Sequence, residues 1–147
     1  MELYDIEILS GEGEPIVIGK DSGQKDYITD IDIKLDTVDE NVSLKSASML
    51  AKIVIRGTIE NEITKELINL FNWAREETES KCYRKLIIRI KNDDSTIRRT
   101  FEYEKVFVVD YYEEYHADGG KQDTKDRSKF VLSLTQKKNM LSSIKNF

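Results

Sequence analysis

The sequence predicts a mainly β protein: a small antiparallel β-barrel or sandwich with one flanking α-helix. Apolar and polar side chains alternate in segment after segment, the period of a half-buried strand. Runs rich in Gly, Asn, Asp and Ser separate these segments, as turns require. One stretch alone carries the 3.6-residue repeat of a helix.

Strand 1 is read at Leu3 to Leu9, "LYDIEIL", and the turn "SGEGEP" leads to a short strand at Ile16 to Gly19. After "DSGQKD", the segment "YITDIDIKLDT" points Ile31, Ile33 and Leu35 to one face and Asp30, Asp32, Lys34 and Asp36 to the other. In "LAKIVIRGTIE", Ala51, Ile53, Ile55 and Ile59 share a face. Between these two strands lies "TVDENVSLKSASM", too long for a hairpin turn and of the kind that serves a function. Leu86, Ile88 and Ile90 form the next apolar face, and "NDDS" closes a hairpin onto Ile97, Phe101 and Tyr103. Thr100 to Lys138 reads as two long strands around a glycine-containing loop, the second alternating Phe130, Leu132 and Leu134.

The helix is expected over about 62–80. Ile63, Leu67, Leu70, Phe71 and Ala74 make its apolar stripe, Asn61 is its N-cap, and Trp73 stands beside the stripe. Glu76, Glu77 and Glu79 would then oppose the helix dipole at its C-terminal end. Residues 1–138 read as one domain and 139–147 as a C-terminal tail. That tail keeps Met140, Leu141, Ile144 and Phe147, and either frays or docks on its own barrel or a neighbour.

A chain of 147 residues buries enough surface to fold without a metal or disulfide, and its single cysteine, Cys82, excludes an internal disulfide. The formal net charge of −5 argues against general nucleic-acid binding, which needs clustered Lys and Arg. The N-terminus lacks the basic region of a signal peptide, and no apolar run is long enough to anchor the chain in a membrane.

Catalytic chemistry finds no foothold. One histidine, His116, and one distant cysteine are too few for a zinc site. Glu113 and Glu114 are strand neighbours facing opposite sides, so they cannot work as an acid/base pair. "ADGGK" lacks the spacing of a phosphate loop. No catalytic residue, cofactor or metal is expected, and the loop at His116 reads as a solvated hairpin end. Tyr111, Tyr112 and Tyr115 are expected to pack in the sheet or at a subunit contact.

The order of these elements resembles the tail-tube family: tube proteins of contractile phage tails and the haemolysin-coregulated (Hcp) tube protein of type VI secretion. The resemblance rests on "LYDIEIL", the loop "TVDENVSLKSASM", the helix "ITKELINLFNWAREE" and the ending from "FEYEKVFVVDYYEEY" through Gly119 and Gly120 to "RSKFVLSLTQKK". It implies a structural subunit, not an enzyme, of a contractile injection apparatus, forming hexameric rings that stack into a hollow tube. Sheath and baseplate or spike proteins are its implied partners, with effector cargo or DNA in the lumen. The implied location is the cytoplasm during assembly, a phage-tail-like particle, or ejection from the cell. The loop anchors Val42, Leu44, Met49 and Leu50 are the expected inter-subunit contacts, and the tail residues Met140, Leu141, Ile144 and Phe147 a second set. A baseplate, tube-initiator or cargo-adaptor protein on the same scaffold, and a small-ligand-binding β-barrel, stand as alternatives.

Overall fold

The computed structural model describes residues 3–11, 13–19, 27–37, 49–92, 94, 96–117 and 127–147. Eight strands run through them: β1 (Leu3–Leu9), β2 (Ile16–Ile18), β3 (Ile28–Thr37), β4 (Met49–Thr58), β5 (Arg84–Lys91), β6 (Ile97–Glu114), β7 (Lys129–Gln136) and β8 (Lys145–Asn146). All pair antiparallel in one sheet of order β2-β1-β5-β6-β7-β4-β3, with β8 beside β6. The expected alternation places Ile6, Ile8, Ile53, Ile55, Leu86, Ile88, Leu132 and Leu134 in one core, each at most 1% exposed. Each such side chain contributes about 1.5–3 kcal/mol through burial.

Closure into a barrel is where the expectation is corrected. The sheet curls until β1 comes against β3, yet no hydrogen-bonded pairing joins them among the described residues. β2, only three residues long, borders one side and β3 the other. The sheet therefore stays open along β3.

Curling depends on β6, an 18-residue strand that pairs with β5 along its first half and β7 along its second. Its pairing shifts register near Lys105, which sits at φ 53°, and again between Val108 and Asp110. Each bulge flips the facing parity. Inward residues are consequently Phe101 and Tyr103, then Val106 and Val108, then Tyr111. This explains the unbroken apolar run Val106–Val109, in which Val106 is buried and Val109 is 61% exposed.

The helix departs from its sequence reading in three ways. A 3-10 turn at Asn61–Ile63 precedes α1 (Thr64–Ala74), so the N-cap positions are Glu60 and Ile63, neither with a side-chain cap, and not Asn61, whose carbonyl accepts the Thr64 hydroxyl at 2.9 Å. α1 ends at Ala74, well before Ser80, and a separate turn, α2 (Glu79–Cys82), follows. Glu76 and Glu77 thus lie just beyond the end of α1, where the Glu76 carboxylate accepts the Thr78 amide at 3.1 Å, and Glu79 falls in the first turn of α2. Finally, the buried stripe is Ile63, Leu67, Leu70 and Trp73, while Phe71 is 53% exposed. α1 packs on β2 and β6, covering one flank of the core.

The tail is docked. Backbone bonds tie Phe147 to Thr100 in both directions, at 2.7 and 3.0 Å, and β8 covers β6 at Phe101 and Glu102. Leu141 and Ile144 pack against the core.

Gly57 occupies an inward position of β4 opposite Phe130. A β-carbon there would stand 2.3 Å from the Tyr27 carbonyl oxygen and 2.5 Å from Phe130 Cε1. Gly57→Ala is expected to cost about 2–3 kcal/mol through overpacking, read by urea unfolding; a loss under about 0.5 kcal/mol would contradict this packing.

Candidate assembly surfaces

Three surfaces stand out. The first is the water-facing side of β3 and β4. Arg56 Nη1 donates to Asp30 Oδ1 at 2.8 Å and Asp32 Oδ2 at 2.7 Å, and Lys52 Nζ donates to Asp36 Oδ2 at 3.0 Å. Hydrogen bonds to Asp32 and Asp30 hold the Arg56 pKa above its ordinary value; the hydrogen bond from Lys52 and the nearby Lys34 charge hold that of Asp36 below it. These exposed pairs add little stability. They keep one face of the sheet wet, as the alternation of β3 requires.

The second is an apolar groove of about 360 Å³ at the open mouth of the sheet, between β3 and the β6–β8 pair. Leu35, Met49, Phe101, Leu141 and Ile144 line it, with Arg99 on its rim. Leu35 is 59% exposed, although its alternation assigns it to the core. Three of the expected interface residues, Met49, Leu141 and Ile144, thus meet in one place. Leu50 faces the other side of β4, opposite Asp36. Met140 is half-buried and Phe147 exposed, neither lining the groove. Val42 and Leu44 lie outside the described residues.

The third is a groove of about 330 Å³ between α1 and the end of β6. Ile68, Phe71, Glu113 and Tyr115 line it, and Ile68 and Tyr115 are 55% and 67% exposed. Phe71 meets Tyr111 edge to face, ring centroids 6.4 Å apart. Glu113 accepts hydrogen bonds from the Tyr111 hydroxyl at 2.6 Å and from the Tyr115 hydroxyl. Burial, and then Glu113, push the Tyr111 pKa up; the Glu113 hydrogen bond does the same for Tyr115. Tyr111 and Tyr115 were expected in the sheet or at a contact, but the helix side of this surface was missed because Phe71 was assigned to the buried stripe. The spacing Ile63, Leu67, Leu70, Trp73 was the available signal.

His116 anchors a strand end: its amide donates to Ser128 Oγ at 3.1 Å, and Nε2 lies 3.1 Å from Glu114 Oε1. Gly119 and Gly120 lie outside the described residues. Cys82 is half-buried, donates to the Glu79 carbonyl at 3.3 Å, and burial pushes its thiol pKa up, away from nucleophilic use. Among the described residues, no group of three or more His, Cys, Asp or Glu is placed to hold a metal, and no helix is long and apolar enough to cross a membrane.

No family model matches the chain, and no curated protein matches it in sequence. Solved structures do. A chain of the anti-feeding prophage baseplate is similar over 99% of this chain and 92% of its own, with a TM-score of 0.56 and 13% identity. A chain of the PVC sheath–tube complex, from an extracellular contractile injection system in the extended state, is similar over 99% and 88%, with a TM-score of 0.55 and 14% identity. Hcp1 from Salmonella typhimurium is similar over 90% and 81%, with a TM-score of 0.56 and 12% identity. At such identities it is the course of the backbone that is shared. The chain has the Hcp-like tail-tube fold, an open antiparallel sheet with one flanking helix.

Proposed function

We propose that this chain is a tube subunit of a contractile injection apparatus, closing into hexameric rings that stack into a hollow conduit. The observation that carries the reading is the open sheet: β3 ends it with ten residues and, among the described residues, no further strand. Such an edge templates aggregation in a lone subunit and is satisfied when a neighbour continues the sheet around a ring. The shared fold with components of contractile particles supports the same reading. The charged face of β3 and β4 suits a wet lumen, able to hold effector cargo or DNA. Sheath and baseplate or spike proteins are the partners on this reading. The subunit acts mechanically rather than catalytically, assembling in the cytoplasm into a particle or ejected tube.

Light scattering after size exclusion, with electron microscopy of the concentrated protein, is expected to show six-subunit rings and short stacks. A strict monomer at high concentration overturns the proposal. Deleting residues 39–47 is expected to abolish stacking while leaving the melting temperature unchanged, because that loop is proposed to reach an adjacent ring. The similarity to a baseplate chain favours one second reading, a tube initiator on the same scaffold. An initiator would make a single ring that never elongates.

A further inference from the structure

Two apolar grooves lie toward opposite ends of β6, and their charges are complementary. Among the described residues, Arg99 is the one charged residue lining the mouth groove and Glu113 the one lining the α1 groove. No ion pair among the described residues neutralises either charge. Arg99 donates to the neutral Asn146 Oδ1 at 3.3 Å and stacks 4.5 Å above the Phe101 ring. Among the described residues, Glu113 meets the two tyrosine hydroxyls. The described residues thus present at each end an apolar patch with one charge that none of them offsets, of opposite sign.

We propose that a second copy of this chain docks head to tail, its Tyr115–Glu113 end seated in the mouth groove below Arg99. Exposed Tyr115 and Phe71 present the aromatic area that anchors interfaces, and Leu35, Met49 and Phe101 offer the apolar wall to receive it. The Glu113–Arg99 pair fixes the register and excludes the reverse docking, which would set like charges together. A contact between two different patches of one chain propagates from copy to copy and does not stop at a dimer. The inference rests on the tube-subunit reading for the presence of several copies, and adds which surfaces meet.

Charge exchange on the full-length chain tests it. Glu113→Arg and Arg99→Glu are each expected to raise the concentration for half-assembly, read by light scattering, at least about tenfold. The double variant is expected to return it to within about threefold of the wild type. Circular dichroism melting checks each fold. If Glu113→Arg melts early, Glu113→Gln keeps an acceptor for the tyrosines without the charge and is expected to weaken assembly several-fold. Assembly of either folded single variant at the wild-type concentration overturns the proposal and leaves the grooves to another partner. A folded double variant that assembles no better than the singles overturns it too. Should the wild type never assemble, the tube reading falls and this contact with it. Should it assemble while charge exchange has no effect, only this contact falls.

Discussion

Trp73→Ala is expected to lower the unfolding free energy by about 3–5 kcal/mol, more than any other single side-chain truncation on α1. The indole is 1% exposed, and its Nε1 donates to the Cys82 carbonyl at 2.8 Å. The Arg84 guanidinium lies 5.2 Å over its face. The ring therefore binds α1 to α2 and to the start of β5 at once. Its removal leaves a cavity, an unpaired carbonyl and an arginine without its aromatic partner. Burial already lowers the Arg84 pKa, against the opposing pull of the Glu76 charge, and among the described residues Arg84 Nε has no hydrogen-bond partner. Urea unfolding followed by circular dichroism provides the measure. Trp73→Phe, keeping most of the apolar area, should recover more than half the loss. A Trp73→Ala loss below about 1.5 kcal/mol would mean that the helix is not clamped here.

Asp5→Ala is expected to cost about 3 kcal/mol, because it takes the carboxylate from Lys91 and leaves Arg89 with Glu7 alone on a nearly dry part of the sheet. Asp5 is 1% exposed. Its Oδ1 accepts Arg89 Nη1 at 3.2 Å, and its Oδ2 lies 3.0 Å from Lys91 Nζ. Glu7 Oε1 completes the cluster, 2.5 Å from the same Arg89 nitrogen. Burial pulls the Arg89 pKa down, but the hydrogen bonds to Glu7 and Asp5 more than offset it, and the net direction is upward. The cluster joins β1 to β5 on the face opposite the core. Little of the loss should vanish in 1 M salt, since buried pairs are weakly screened. Asp36→Asn, which removes an exposed pair with Lys52, is the control and should change stability far less. Equal effects from the two variants would contradict the burial of Asp5.

The strands were legible because period two is a local property: Ile31, Ile33, Ile53, Ile55, Leu86 and Ile88 alternate in the sequence as they do in space. β6 was only half legible. Its register shifts hide the alternation, and a run such as Val106–Val109 gives no sign of which residue turns outward. Closure could not be read, since it depends on whether β1 and β3 pair across a distance that alternation does not encode. The helix was legible in place but not in phase or length. The choice between Phe71 and Trp73 was decided by a partner carbonyl at Cys82, and the stop at Ala74 by the local turn at Glu76. Of the expected contact residues, Met49, Leu141 and Ile144 converge because β8 folds back on β6. Their apolar character was visible in the sequence; their meeting was not.

β6 runs from one groove to the other without a break in the chain, flanked by β5 on one side and by β8 and then β7 on the other. Ladder hydrogen bonds lie across a strand's length. A push delivered at one end of such a ribbon is consequently met in shear by many bonds at once, rather than by peeling them one after another. The ribbon is a strut. What arrives at the Tyr115 end can be handed to the Arg99 end with the curl of the sheet left intact.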